Sequence, residues 1–521
     1  MTTRSSATKP VAKVPSPPPE QVGHAFLVPN AAATAPQRAP TTIANPPYLT
    51  WRGLYREVEL WKSALRLYTK PLFSWRKALN RSTDQRTLYD FARHGLQNID
   101  LLDRALQRRR FEFRPALALH RNFNGKRRTL YIAPWEERLV HLLLYRLLNS
   151  ALDGVMSRSS YAYRIHGFGV DRCQSHIARQ LRSPAGPRHI LKRDIRDFFA
   201  SVDHDALLEI VRRFVPQDDY LFTLLQQCIQ FRFEEAGSVQ TAVRGLPFGT
   251  PIACCLANLY LLDLDRRLEN VPAIHFYRYA DDLLVLGESA SALDQAETVY
   301  EATLSELGLQ SKDSHSAKFT LTCDKRTPTK ASPTTIPLPL QDSFRHLGLQ
   351  FRADGSIGLS RDKFRKIRNL FRFAFRRYRS RLQRTHDPRR RAAILIRICQ
   401  ERLERAPRHV AIIDYYLRHV TDEKQWRQLD RWLAEEVLSI SFGGGHKKGY
   451  FRRLPFATLR RMGLPSLLHR GRLIRHGHLR TPFFQWKNQQ EANTSEGTAA
   501  RFTSKGGPSL VAQKHRARPC S

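Results

Sequence analysis

The stretch FYRYADDLLVL, residues 276–286, places two adjacent carboxylates, Asp281 and Asp282, inside a strand-like run of aromatic and aliphatic residues. Two neighbouring carboxylates in half-buried surroundings repel each other and resist the loss of water. The arrangement is costly unless a cation or a proton offsets the charge. We expect this stretch to fold as a β-hairpin with the carboxylates at its turn.

A third carboxylate, Asp194, lies in another strand-like segment, RHILKRDIRDFFASV. An aspartate in one strand and an Asp pair at the turn of a neighbouring hairpin could converge on one side of a sheet. Magnesium is a hard ion that binds oxygen ligands, and two such ions about 4 Å apart stabilise both oxygens of an in-line displacement. Three carboxylates that share two divalent cations would explain the pair. The alternative is purely structural, because aspartates are common in turns.

The charge of the chain predicts a polyanionic partner. The 521 residues include 86 Lys and Arg against 47 Asp and Glu, which gives a formal net charge of +39. Nucleic acid is favoured over a membrane surface, because no apolar run approaches the roughly 20 residues that span a bilayer. The seven cysteines are scattered and never form a C-x-x-C pair. This pattern, together with the lack of a secretory signal, predicts a cytoplasmic protein.

Several local signals predict the order of the elements. Residues 1–47 are rich in Pro and Ala and are expected to lack regular structure. Asn124-Gly125 is a hairpin-turn signal between two short strands. An amphipathic helix is expected from about Asp203, and a long helix after Pro251. A Thr- and Pro-rich loop should span residues 324–341, before a second hairpin in FRHLGLQFRADGSIGL.

A strongly basic helix is expected after this second hairpin. Its apolar residues recur every three or four positions and form one stripe, from Phe364 to Leu382. Arginines occupy its other faces without interleaved acids, which favours a helix that follows nucleic-acid phosphates over a solvated surface helix. These arginines are Arg365, Arg368, Arg372, Arg376 and Arg379.

The motifs in this order resemble the palm of reverse transcriptases, especially the bacterial retroelement kind related to group II intron proteins. The resemblance rests on DIRDFF, RGLPFGTPIACCLANLYL and YADD, and it runs from about Arg121 to Phe351. It implies an α+β right-hand polymerase with fingers, a palm built on an antiparallel sheet, and a helical thumb. Residues 48–351 would form fingers and palm, residues 352–440 a thumb-like region, and residues 441–521 a basic, mainly helical extension with a disordered tail.

The same resemblance assigns roles to the carboxylates and their neighbours. Asp194 and Asp281 look like the metal-binding aspartates and Asp282 like the third acidic member, with the Ile195 carbonyl beside two Mg²⁺ ions, for which Mn²⁺ is a possible substitute. Phe199 falls where the family has an aromatic ring beneath the sugar. A ring there would clash with a 2′-hydroxyl and so favour dNTPs. The alternative for Phe199 is a simple core position.

Nucleotide-binding residues are implied on either side of this site. Lys126 and Arg128 would neutralise the incoming triphosphate, with bidentate geometry available to the arginine. Residues 245–261 are similar to the family's glycine-rich turn and helix, in which Gly249 would lie against the nucleotide. Phe248 stands where the family usually has glutamine, so a side-chain donor near the template base or sugar is lost.

A lysine after the palm often protonates the leaving pyrophosphate in this family. Lys312 and Lys318 are both candidates here, and the sequence does not choose between them.

The leading hypothesis is an RNA-directed DNA polymerase of a bacterial retroelement or a phage-defence system. It would act on dNTPs and an RNA–DNA duplex, with a cognate noncoding RNA as template. The alternative is a group II intron maturase-like RNA-binding protein, because QLDRWLAEEVLSISFGGGHKKGYFRRLPFATLRRMG is similar to the maturase domain that follows the thumb. Phe248 and the lack of a cysteine-histidine endonuclease pattern disfavour this alternative.

Overall fold

The computed structural model describes residues 48–69, 77, 81–123, 126–164, 168–183, 186, 188–313, 316–322, 338–404 and 411–479. The expected Pro-rich arm, the Asn124-Gly125 turn, most of the 324–341 loop and the expected disordered tail lie outside these residues. Within the described part of the chain, no helix combines the length and apolar character needed to cross a bilayer.

The first part of the chain is mainly helical and includes one hairpin. Its helices are α1 (Trp51–Leu54), α2 (Glu57–Thr69), α3 (Leu88–Arg93), α4 (Gly95–Gln107), α5 (Trp135–Ala151) and α6 (Val170–Arg182), and its strands are β1 (Ala116–Phe123) and β2 (Lys126–Ile132). The two strands pair antiparallel from Leu117 and Ile132 to Phe123 and Lys126. The predicted hairpin is therefore confirmed by its strands.

The central part of the chain alternates short helices with strands. Its elements are β3 (His189–Arg193), α7 (Phe198–Ser201), α8 (His204–Arg212), α9 (Tyr220–Ile229), β4 (Arg232–Glu235), β5 (Ser238–Thr241), α10 (Pro251–Tyr260), α11 (Leu262–Glu269), β6 (Ile274–Tyr279), β7 (Asp282–Gly287), α12 (Ala290–Glu306) and β8 (Ala317–Leu321). The helix expected near Asp203 is confirmed, and the Asp203 side chain caps it by accepting from the Ala206 amide. The single long helix expected after Pro251 is instead two helices, α10 and α11, which meet at Leu261.

The last described part begins with short strands and continues as helices. Its elements are β9 (Leu340–Gln341), β10 (Ser343–His346), β11 (Leu349–Arg352), β12 (Ile357–Leu359), α13 (Arg361–Arg377), α14 (Arg379–Gln383), α15 (Pro388–Glu404), α16 (Ala411–His419), α17 (Glu423–Ser441), α18 (Tyr450–Arg453), α19 (Phe456–Arg461) and α20 (Leu467–Arg475). The second predicted hairpin is confirmed as β10 and β11, and β12 adds a third strand.

The described residues form three sheets, in the strand orders β2-β1-β4-β5, β6-β7-β3-β8-β9 and β10-β11-β12. In the five-stranded sheet, β6, β7, β3 and β8 pair antiparallel in succession. Alternate residues of β7 face two different cores: Leu283 packs with α10 and α12, whereas Leu284 packs with α6 and the C-terminal helices. The sheet is therefore covered on both faces, and the α+β class expected from the sequence is confirmed.

The helices on both sides of residue 440 share one hydrophobic core. Asp430 of α17 is buried and accepts hydrogen bonds from the Ser466 hydroxyl at 2.6 Å, the Leu467 amide at 2.7 Å and the Arg460 guanidinium at 3.1 Å. Because these donors come from α19 and the start of α20, Asp430 ties the region after residue 440 to α17. The division at residue 440 between a thumb-like region and an extension stays a prediction.

One buried arginine fixes the β6–β7 hairpin against its surroundings. The Arg278 side chain is 1% exposed, and its guanidinium donates to both carboxylate oxygens of Asp265, at 2.6 and 2.5 Å. It also donates to the Asn258 side chain at 3.1 Å, the Ser160 hydroxyl at 2.9 Å and the Ala280 carbonyl at 3.1 Å. All five N–H donors are thereby used, which is what a buried guanidinium requires.

Replacement of Arg278 by Met should strongly destabilise the fold. The change leaves the Asp265 carboxylate buried without its partner, and the loss of one member of a buried ion pair typically costs about 3–5 kcal/mol. Urea unfolding followed by circular dichroism measures the loss. The double variant Arg278→Met with Asp265→Leu should recover much of it, because it removes both charges.

The matched control is Arg267→Met, since Arg267 lies on the same helix as Asp265 and forms an exposed two-point pair with Glu306. Exposed ion pairs contribute little to stability. If Arg278→Met destabilises the protein no more than Arg267→Met does, the buried pair does not hold the hairpin.

Candidate active site

The hairpin turn presents the paired carboxylates at the end of the five-stranded sheet. Tyr279 pairs with Asp282, so Ala280 and Asp281 form a two-residue turn. Ala280 has a φ of +60°, in the left-handed region that tight hairpin turns use. Asp281 therefore lies at the tip of the turn and Asp282 at the start of β7. The predicted position of the pair is confirmed by this register.

Asp194 comes to the same end of the sheet. It follows β3 directly, and the last residue of that strand, Arg193, pairs with Leu283 of β7. The antiparallel register thus carries Asp194 alongside the start of β7. The next residue, Ile195, is buried and bridges to Ser311. The three predicted carboxylates are therefore neighbours in the fold, although 87 positions separate Asp194 from Asp281 in the sequence.

The electrostatics of the site reflect this crowding. Burial, together with the charges of Asp194 and Asp282, raises the pKa of Asp281 to about 6, while Arg128 opposes the shift. The Lys312 ammonium lies 2.9 Å from Asp194. Lys318 instead pairs with Asp294 and Glu297 of α12. Of the two candidate lysines, Lys312 is thus the one at the carboxylates.

The carboxylates suit a divalent cation in their chemistry. Asp194 and Asp281 supply hard oxygen donors, and the raised pKa of Asp281 indicates negative charge that a cation would offset. Among the described residues, no three His, Cys, Asp or Glu side chains are already arranged around one metal position. The expectation that Asp194, Ile195, Asp281 and Asp282 together bind two ions stays a prediction.

The β1–β2 hairpin brings Arg128 within electrostatic range of Asp281. The Arg128 guanidinium lies 5.3 Å from the centre of the Phe248 ring. The Phe248 carbonyl accepts a hydrogen bond from the Tyr131 amide at 3.1 Å, which joins the glycine-rich turn to β2. Gly249 has a φ of +109°, a backbone angle that residues other than glycine rarely adopt. Lys126 begins β2, and its side chain lies outside the described part of the chain.

Phe199 lies in an aromatic cluster beside these groups. Its ring centre is 5.4 Å from that of Phe248 and 6.3 Å from that of Tyr163, both in edge-on geometry. It is half-buried, whereas the neighbouring Phe198 is fully buried. Gly245 allows the turn to approach this cluster, since a Cβ there would lie 3.1 Å from backbone atoms of Phe199 and Ala200. Phe198 is therefore the core residue of the pair.

The predicted basic helix forms as α13 and α14, but its arginines differ in environment. Arg365, Arg376 and Arg379 are exposed. Arg368 and Arg372 instead lie 4.8 and 5.5 Å from the centre of the Trp432 ring, and Arg372 forms a two-point ion pair with Glu436 at 2.8 and 3.1 Å. Residues of α17 thus cover Arg368 and Arg372 in part, and the prediction that all five arginines bind nucleic acid stays a prediction.

Two polar residues near the carboxylates were not predicted as site residues. Arg278 holds the carbonyl of Ala280, which immediately precedes Asp281, and His346 lies 3.4 Å from Asp282. An arginine inside the otherwise apolar run FYRYADDLLVL is a signal that could have pointed to Arg278. No comparable signal marks His346, because its partner is 64 positions away in the sequence.

A family profile and two relatives were found by comparison with known proteins. The sequence profile of the family described as "Reverse transcriptase (RNA-dependent DNA polymerase)" matches residues 134–351. The retron Mx65 reverse transcriptase of Myxococcus xanthus is 29% identical over 185 residues, which are 33% of this chain and 43% of that protein. The "uncharacterized 91 kDa protein in cob intron" of Schizosaccharomyces pombe is 25% identical over 197 residues, 36% of this chain and 24% of that protein.

The chain thus spans less than half the length of either relative. Among solved structures, a telomerase from Candida albicans in complex with the TWJ fragment of telomeric RNA is 12% identical, with 74% of this chain and 66% of that chain covered and a TM-score of 0.39. A TM-score of this size does not establish a shared fold.

The profile match runs from the start of the helix at Trp135 to the second hairpin, and so includes the motifs between them. Residues 134–351 of this chain therefore form a reverse transcriptase domain.

Proposed function

We propose that this chain is an RNA-directed DNA polymerase that adds dNTPs to a primer by two-metal nucleotidyl transfer. The observation that carries the proposal is the position of Asp194, Asp281 and Asp282 at one end of the sheet, inside the reverse transcriptase domain. Arg128 lies close enough to Asp281 to influence its pKa. Carboxylates that could bind metal ions thus lie close to an arginine that could bind phosphates.

Each residue has a physical task in this reaction. Asp194 and Asp281 would hold divalent cations, with Asp282 as the third acidic member, and the cations supply charge stabilisation for the attacking and leaving oxygens. Arg128 would bind the triphosphate, for which its planar guanidinium is suited. Lys312 would give a proton to the leaving pyrophosphate, and its distance of 2.9 Å from Asp194 supports this choice over Lys318. Phe199 would limit the space beneath the sugar.

We propose an RNA template, from a cognate noncoding RNA, and an RNA–DNA duplex as the product complex. The net charge of +39 and the exposed arginines of α13 and α14 support binding of a polyanion. The biological setting that we propose is a bacterial retroelement or a phage-defence system in the cytoplasm. Sequencing the RNA that copurifies with the protein tests this setting, and recovery of random cellular RNA would contradict it.

Two observations favour a second candidate, a group II intron maturase-like function. A relative of 25% identity is named as a protein in an intron, and α17–α20 form a basic helical unit after the polymerase motifs. Such a protein would bind intron RNA and assist splicing. Retention of splicing assistance in a variant that lacks the carboxylates would separate this function from polymerisation.

The double variant Asp281→Asn with Asp282→Asn should abolish dNTP incorporation and leave RNA binding intact. Both changes keep the size of the side chains and remove the charge that cations require. Incorporation by the wild type should also depend on Mg²⁺ or Mn²⁺ and be lost with a chelator. Primer extension measures the activity, and filter binding measures the affinity for RNA. Undiminished synthesis by the double variant would refute the assignment of the site.

The variant Phe199→Ala should accept ribonucleotides. If the Phe199 ring excludes the 2′-hydroxyl by its volume, its removal opens the space without the loss of a hydrogen bond. Single-nucleotide extension with matched dNTP and rNTP measures the ratio of kcat/KM for the two. Phe198→Leu, which alters the buried neighbour, is the control and should keep the preference for dNTPs. An unchanged preference in folded Phe199→Ala would assign Phe199 to the core alone.

Replacement of the exposed arginines of α13 and α14 by Gln should weaken binding of template–primer in a salt-dependent way. Each lost phosphate contact reduces the slope of log affinity against log salt by about 0.7–0.9, so the triple change of Arg365, Arg376 and Arg379 should reduce it by roughly 2–3. Glutamine keeps the helix, because its helix propensity is similar to that of arginine.

The matched control is Arg372→Gln. Arg372 pairs with Glu436, so this change should lower the free energy of unfolding and leave the salt slope nearly unaltered. An unaltered slope in the triple variant would mean that these arginines contact only water.

A further inference from the structure

His346 is a buried imidazole beside the carboxylate site. It ends strand β10, its side chain is 0% exposed, and neither ring nitrogen has a hydrogen-bond partner among the described residues. Burial of polar nitrogens without partners is unfavourable, and an apolar ring of the same size would avoid that penalty. The position of His346 therefore calls for an explanation other than packing.

The nearest acidic group explains it. The Nδ1 atom of His346 lies 3.4 Å from the Oδ2 atom of Asp282, beyond a good hydrogen bond and within the range of an ion pair. A shift of about half an ångström would close the gap to the usual length of an N–H···O bond. Asp282 begins β7, next to the hairpin turn that carries Asp281.

The backbone around His346 is held firmly. Leu347 and Gly348 form the two-residue turn between β10 and β11, with φ values of +47° and +84°. The Leu347 carbonyl accepts from the Gln174 side chain at 2.9 Å, and the Gly348 carbonyl accepts from the Ser360 hydroxyl at 3.1 Å. Gln174 is itself buried in α6. The turn, α6 and the start of α13 thus fix where the imidazole lies.

We propose that His346 is a positioning residue for the Asp282 carboxylate, which it orients by donating an Nδ1–H hydrogen bond. Through this contact the turn between β10 and β11 would be coupled to the carboxylate site. The proposal rests on the proposed function, in which Asp282 takes part in cation binding. Outer partners of metal-binding side chains typically change metal affinity or activity 10–100-fold when removed.

The variant His346→Phe tests the proposal by removing both nitrogens while a ring remains. We expect the affinity for Mn²⁺, measured by electron paramagnetic resonance on the full chain without nucleotides, to fall about tenfold or more. In primer extension, kcat should fall by a similar factor at saturating metal, while KM for the template–primer stays unchanged. The Tm should stay the same or rise, because the buried Nε2 atom, which has no partner among the described residues, is gone. A residue that only supports the fold would show the reverse, a lower Tm.

The matched control is His141→Phe. His141 is also buried, has an Nδ1 atom without a partner and stacks on Phe113 at 4.6 Å rather than facing a carboxylate. We expect this change to leave Mn²⁺ affinity unaltered. If His346→Phe fails to fold, the pair His346→Asn and His346→Leu replaces it, because Asn keeps a donor near the Nδ1 position and Leu does not. Weaker Mn²⁺ binding by Leu than by Asn would support the proposal.

The proposal would be overturned if His346→Phe bound Mn²⁺ as tightly as the wild type, or if the Asn and Leu variants bound Mn²⁺ equally. The failure of the proposed function gives a different result. In that case the wild type itself would bind Mn²⁺ yet extend no primer, and the effect of His346→Phe on Mn²⁺ binding would remain measurable.

Discussion

The site depends on a guanidinium that lies beneath it. Arg278 is buried with its charge, so each of its N–H donors must find an acceptor, and the acceptors come from Asp265, Asn258, Ser160 and the backbone of the turn. Three separate stretches of chain are held together by one side chain. Because the turn carbonyl is one of the acceptors, the position of the β6–β7 hairpin is tied to α10, α11 and the segment before α6.

The local charge at this site is opposite in sign to the net charge of the chain. The protein is strongly basic, yet the end of the five-stranded sheet concentrates carboxylates. Arg128 acts electrostatically on Asp281, and Lys312 pairs with Asp194. Such an arrangement would draw a polyanion to the molecule and keep one place where cations are favoured. Phosphates and cations would then meet at the boundary between the two signs of charge.

The basic helix illustrates how tertiary contacts divide a uniform pattern. In the sequence, the arginines of α13 and α14 are equivalent members of a repeating series. In the fold, α17 brings Trp432 and Glu436 against one face, so that Arg368 and Arg372 become part of an internal contact. Arg365, Arg376 and Arg379 stay exposed. Helical periodicity identifies the faces of such a helix, but it does not say which face a later helix will cover.

The sequence by itself determined the features that arise from neighbouring residues. The two hairpins, the capped helix at Asp203 and the Asp281–Asp282 turn follow from turn residues, side-chain capping and the period-two pattern of strands, all of which act within a few positions. The order of these motifs also predicted the reverse transcriptase domain that the family profile matches. The split of the helix after Pro251 at Leu261 was not anticipated, because both helices read as one continuous apolar pattern.

Tertiary structure alone decided the partners of the polar groups. Lys312, and not Lys318, meets Asp194 across 118 positions, and the same separation divides Arg278 from Ser160. His346 meets Asp282, and Arg372 meets Glu436, across 64 positions each. The sequence specifies which side chains are charged, but the fold sets the distances between them. The energy of a buried ion pair depends steeply on that distance and on the exclusion of water.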